Sequence, residues 1–263
     1  MTKGNILPIS ICVFGDSHSH HILPKAGSMS DRIGINRKYF SIVGQAIPAA
    51  SIAGFRPKAS TLKTKEIIRA ALPNVKHLVL GFGQVDLELG YYYRKVVKND
   101  TDLTPGEYVD WLSGIYLEFI KSLNFPGDHL AIKGCHLTVL SHRNFTRKYV
   151  QRIIKTGDSS EEDVELFSSR LDSHILGERQ MNKMLMDFNE RMRLESQAGL
   201  FRYFDINNAV GYQKTPSSPR SLKPQFAPAI FDHHLADSLG LRRIYARSLL
   251  RVFDLPYEHY MRN

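Results

Sequence analysis

Two short stretches carry residue types suited to nucleophilic acyl chemistry. Near the start, the apolar run Ile9-Ser10-Ile11-Cys12-Val13-Phe14 leads into Gly15-Asp16-Ser17-His18-Ser19-His20-His21. Near the end, Ile230-Phe231-Asp232-His233-His234-Leu235-Ala236-Asp237 stands just before a helical pattern. A serine hydroxyl is a poor nucleophile at neutral pH. It needs a base within hydrogen-bond reach and an acid to orient that base. Ser17 is the candidate nucleophile, His234 the base and Asp232 the orienting acid. By type, His233 fits the base position as well. His234 is preferred because Leu235, which leads into the helix, follows it directly.

These residues need elements that bring two distant stretches together. Short β-rich runs alternate with helical stretches, which favours an α/β domain with a mostly parallel sheet. Strands are expected at Ile9–Phe14, Tyr39–Val43, His77–Leu80, His136–Leu140 (extending back to Leu130, with an interruption at Gly134) and Leu200–Phe204. Helices are expected at Ser60–Leu72, from Thr104 to before Pro126, at Glu178–Ala198 and at Ala236–Phe253. Pro105 at the first helical position and Glu107 three residues past Thr104 form a capping-box pattern. The stretch Asp158–Asp163 reads as a loop or helix start, and the Pro- and Ser-rich stretch 211–228 as a surface loop. A serine just past a buried strand lies at the carboxyl edge of the sheet, where open α/β folds bind ligands. With no evident linker, residues 1–263 are expected to form a single domain.

Composition narrows the function classes. The 263 residues are 43% hydrophobic and 23% charged, ordinary for a globular chain rather than a disordered or fibrous one. Two cysteines, both in apolar runs, exclude a disulfide scaffold. No apolar stretch is long enough to span a bilayer. The first apolar run reads as a strand rather than a signal peptide, so a cytoplasmic location is expected. The net charge of +9 is spread along the chain. Its densest grouping, Arg243, Arg247 and Arg251, reads as a solvated helix face. No zinc-finger spacing or RNA-binding aromatic signature is present, so nucleic acid is not an expected partner.

Gly15-Asp16-Ser17 after an N-terminal strand, with Asp232 and His234 before a C-terminal helix, resembles the SGNH/GDSL hydrolase superfamily. The resemblance runs the length of the chain but rests on three short motifs. It implies a flavodoxin-like, three-layer α/β/α fold with a mostly parallel central sheet. It also implies a Ser-His-Asp triad that needs no metal or organic cofactor. The sequence departs from the family pattern twice. Asp232 and His234 are two apart rather than three, and Phe231 occupies the usual acid position. The family's Gly-x-Asn-Asp motif corresponds to Gly83-Gln84-Val85-Asp86, so Val85 replaces the asparagine that donates to the oxyanion. One missing oxyanion donor costs on the order of 100- to 1000-fold in rate. The expected replacements are the N–H of Ser17, the amide of Gln84 and the loop around Ala50 and Ser51.

Gly-Gln-Val-Asp also resembles SGNH-like proteins of bacterial polysaccharide biosynthesis, which turns the expected substrate towards an acylated carbohydrate or its activated precursor. On that expectation Asp86, Tyr91, His142 and Arg143 are candidate substrate-binding residues. Aromatic rings such as Tyr91, Tyr92 and Tyr93 can stack on sugar faces, and Arg143 can pair with a carboxylate or phosphate. Two other readings remain. One is a non-catalytic, SGNH-like glycan-binding protein. The other is a metal-dependent phosphoesterase, because Asp16-x-His18 resembles the first metal-ligand motif of calcineurin-like phosphoesterases. The further ligand motifs of that family are missing, leaving too few donors for a two-metal site.

Overall fold

A computed structural model describes residues 8–24, 27–57, 61–155, 161–213, 215 and 218–262. In chain order its regular elements are β1 (Ile9–Gly15), α1 (Gly27–Ile33), β2 (Phe40–Ala46), α2 (Thr64–Ala71), β3 (His77–Gly81), α3 (Tyr91–Val96), α4 (Pro105–Ser122) and β4 (Leu130–Lys133). They continue with α5 (Arg143–Lys155), α6 (Glu161–His174), α7 (Glu178–Gln197), β5 (Arg202–Phe204), α8 (Asn207–Val210), the short pair β6 (Gly211–Tyr212) and β7 (Ser221–Leu222), α9 (Leu239–Val252) and α10 (Tyr257–Tyr260). The main sheet has the order β2-β1-β3-β4-β5, and every pairing in it is parallel.

Strand alternation divides the core between the two faces of this sheet. Cys12, Phe14, Leu78 and Leu80 point to one side, with Tyr116 of α4 and Phe188 of α7. Ile11, Val13 and Val79 point to the other, with Leu241, Tyr245 and Leu249 of α9. The period of two along a strand sends neighbouring side chains to opposite faces, so strands covered on both sides read as unbroken apolar runs. The result is a three-layer α/β/α arrangement. Among the described residues, no helix is long and apolar enough to cross a membrane. Cys12 and Cys135 are both buried and free.

Most expected elements are present, with shifted ends. Thr104 caps α4: its hydroxyl accepts the Glu107 N–H, and the Glu107 carboxylate accepts the Thr104 N–H. The second strand continues past Gly44 to Ala46 because pairing with β1 is maintained through Gly15. The second helix begins at Thr64, and Ser60 lies outside the described residues. The last helix begins at Leu239, where the Ser238 hydroxyl accepts the Leu241 N–H. Residues 161–163 open α6, and the stretch 211–228 contains the β6–β7 pair. Part of the acidic stretch and residues 214, 216 and 217 fall outside the described residues.

The fourth strand is the main correction. Pairing ends at Lys133, and His136–Leu140 is buried but belongs to no strand. Side-chain amides take the place of a neighbouring strand. The N–H groups of Cys135, His136, Leu137 and Thr138 donate in turn to the side-chain oxygens of Asn189, Gln84, Asn207 and Asn182, at 2.7–2.9 Å. Four buried backbone donors are thus satisfied without a ladder.

Candidate active site

The two ends of the chain meet at the carboxyl edge of the sheet. β1 ends at Gly15, which lies opposite Gly81 at the end of β3. A β-carbon on Gly15 would lie 2.0 Å from Ser19 Oγ and 2.5 Å from the Gly81 carbonyl, so only glycine allows the turn that follows. Asp16 then closes the loop over Ser17. One carboxylate oxygen accepts the His18 N–H at 3.0 Å, and the other accepts the Val85 N–H at 3.4 Å. Burial raises the Asp16 pKa to about 6, against the opposing pull of Lys133 and those two N–H groups. Each Asp16 oxygen thus holds a backbone N–H at the turn that carries Ser17.

Ser17 Oγ lies 2.9 Å from His234 Nε2, and His234 Nδ1 lies 2.7 Å from Asp232 Oδ1. Since an ionised carboxylate only accepts, Nδ1 carries the proton, and Nε2 is free to accept from the serine hydroxyl. Asp232 Oδ1 also accepts the N–H groups of His233 and His234. This local Asx-type turn is how an acid two residues before the base still reaches its ring. Burial favours a proton on Asp232, but the hydrogen bond and charge of His234 outweigh it and hold the carboxyl below its ordinary pKa. Burial and the neighbouring His233 lower the His234 pKa, opposed by Asp232. The imidazole is neutral at pH 7, as a base must be.

The loop after β2 is braced against the same edge. Ile47 N–H donates to the Gly15 carbonyl. The Asp86 carboxylate accepts the N–H groups of Ile52 at 2.8 Å and Ala53 at 3.2 Å. Asp86 is therefore a buried brace for this loop; burial raises its pKa to about 7. Ala50 spends its N–H on the Ile47 carbonyl, and the Ser51 hydroxyl caps the next turn at Gly54. Among the described residues, no acceptor takes the N–H of Ser17 or Ser51. Gln84 is tied to the backbone of His136: its oxygen accepts the His136 N–H, and one of its two amide N–H groups donates to the His136 carbonyl. Gln84 and Ala50, expected as oxyanion donors, thus make structural hydrogen bonds here.

The candidate substrate residues separate in the same way. Tyr91 and Tyr92 are buried in the core, and Tyr93 is exposed. Tyr93 lines a cleft of about 560 Å³ with Ser51, Asp86, Arg94, Tyr108 and Trp111. Gly83, at φ +118°, turns the chain out of β3 into this wall, a conformation open to glycine and costly for other residues. The guanidiniums of Arg56 and Arg94 lie over the Trp111 ring. Exposed His142 and Arg143 line a second depression, with Phe231 next to Asp232. Arg143 is held there by the Asp172 carbonyl. Trp111, Arg56 and Arg94 were not singled out from the sequence. The usable signal was that the only tryptophan lies outside the apolar stripe of its helix.

No family model and no curated protein sequence matches the chain. Solved structures do. A GDSL-like lipase from Bacteroides thetaiotaomicron superposes with a TM-score of 0.50 at 10% identity, over 93% of this chain and 87% of that one. A predicted acylhydrolase from Bacteroides fragilis superposes with a TM-score of 0.50 at 9% identity, over 95% of this chain and 91% of that one. The chain therefore has the three-layer fold of the SGNH/GDSL hydrolases.

Proposed function

We propose that the protein is a serine-dependent carboxylic ester hydrolase or acyltransferase acting on an O-acylated carbohydrate or its activated precursor. The observation that carries this reading is the continuous relay from Ser17 Oγ through His234 to Asp232, at 2.9 and 2.7 Å. In the proposed reaction His234 Nε2 takes the hydroxyl proton as Ser17 Oγ attacks the acyl carbon, and Asp232 stabilises the imidazolium that forms. The N–H groups of Ser17 and Ser51 would hold the oxyanion. Among the described residues neither N–H has an acceptor, and in this reading they would stand in for the side chain that Val85 lacks. His234 then returns the proton to the departing sugar oxygen. Water or a second hydroxyl releases the acyl group from Ser17 by the same relay.

Two features of the cleft support a carbohydrate carrying an anionic group. Its volume falls in the range of about 300–1,000 Å³ typical of small-molecule sites. Its wall combines Tyr93 and Trp111 with Arg56, Arg94 and Lys98, so aromatic faces and positive charge lie together. Fold likeness to a protein described as a lipase supports ester chemistry.

The test is turnover of p-nitrophenyl acetate by the wild type and by Ser17→Ala. A fall of about 1000-fold or more is expected, leaving only the contribution of oxyanion donors and binding. Equal rates would reject serine catalysis. Release of acetate from acetylated oligosaccharides then tests the substrate class.

A further inference from the structure

Behind the relay lies a second group of titratable side chains that the proposed reaction does not use. His18 and Glu88 are fully buried and His233 nearly so. His136 Nδ1 lies 2.8 Å from the Leu137 carbonyl and must donate to it, so His136 Nε2 accepts from His18 Nδ1 at 3.1 Å. That fixes the proton of His18 on Nδ1 and leaves a lone pair on its Nε2. Among the described residues this Nε2 has no partner, and neither do His233 Nδ1 or either oxygen of Glu88. The rings of His18 and His233 are 4.4 Å apart, and His233 Nδ1 is 3.7 Å from Glu88 Oε2. One nitrogen each from His18, His233 and His234 falls within a 4.8 Å span.

Buried polar atoms without partners are costly, and a buried carboxylate most of all. A gap of 3.7 Å is too long for a hydrogen bond. It is close to the spacing of about 3.4 Å between two ligands on one tetrahedral zinc ion. We propose that His18 Nε2, His233 Nδ1 and Glu88 form a site for a single divalent cation of the zinc class, with a fourth position open towards His234. Two imidazoles and a carboxylate suit zinc rather than magnesium or calcium. His136 and the Leu137 carbonyl act as the outer partners that orient His18. His18 follows Ser17 and His233 precedes His234, so the ion would tie both relay loops to the π-turn Asp86–Gly90 after β3. This inference does not depend on the acyl chemistry.

The experiment uses tag-free, full-length protein, stripped with a chelator, reloaded with Zn²⁺ or Co²⁺ and desalted. Mass spectrometry of the metal content should find one equivalent retained. The Co²⁺ form should show the intense visible bands of tetrahedral coordination. Ser17→Ala and His20→Ala should keep the metal. Glu88→Gln should weaken it by at least about 100-fold, more than loss of an outer partner does. Should Glu88→Gln fail to fold by circular dichroism, X-ray absorption of the zinc-loaded wild type should show two imidazoles and an oxygen ligand. Absence of retained metal, unchanged uptake in folded Glu88→Gln, or a ligand shell without imidazole would each overturn the proposal. Unchanged uptake that instead depends on His20 would move the ion to the neighbouring His20, His21 and Asp237 group.

Discussion

One oxygen of Asp232 takes three donors: the N–H of His233, the N–H of His234 and the ring Nδ1 of His234. A neutral amide with its oxygen in the same place would keep all three. Asp232→Asn therefore removes charge more than geometry, and charge is what steadies the imidazolium formed as Ser17 attacks. We expect kcat to fall by about 1000-fold with KM little changed and the fold intact. Steady-state ester kinetics checks this, and a variant within tenfold of wild type would remove Asp232 from the relay.

At the level of elements, the start of β3 carries a pH-dependent weakness far from the reaction. His77 is buried there against His129 and Phe253. Burial lowers its pKa to about 4, helped by the nearby charges of His129, Lys76 and Arg202 and opposed by Asp128. Between the unfolded value near 6.5 and about 4, the unfolded chain binds a proton that the folded chain refuses. Stability should therefore fall as pH drops through that window, by about 2–3 kcal/mol in all. Urea unfolding at pH 7 and near pH 4 measures the loss. His77→Phe should flatten it, and an equal acid loss in the variant would place the effect elsewhere.

For the whole molecule, the decisive contact joins the first loop to the last helix. Arg242 is buried and grips Asp237 with two hydrogen bonds, at 2.6 and 2.8 Å. A third nitrogen reaches the Leu23 carbonyl at 2.8 Å and the His21 carbonyl at 3.4 Å. This one side chain ties the segment after Ser17 to the segment after His234. Arg242→Met keeps much of the volume but removes all of these hydrogen bonds, at a cost of about 2–3 kcal/mol. Ester turnover should fall with it, because the serine and its base then lose their common anchor. Chemical denaturation and kinetics on the same preparation check both effects. Full activity in a destabilised variant would show that the relay is held by other contacts.

The sequence by itself determined the layout. Unbroken apolar runs ending in glycine defined the central strands, and Thr104-Pro105 with Glu107 defined a helix start, because these patterns are local and nothing distant overrides them. It also offered Ser17, Asp232 and His234 as a set, since only their types and order were needed. Three things waited for the tertiary structure. The stretch His136–Leu140 looks like a strand because it is apolar, yet its N–H partners include three amides scattered from Gln84 to Asn207. Gln84 looks like a spare oxyanion donor until His136 takes both ends of its amide. Glu88, His18 and His233 look unrelated until β3 and the two chain ends converge. Local pattern fixes which way a side chain faces along its own element. Which hydrogen-bonding atoms are already taken depends on neighbours a hundred residues away.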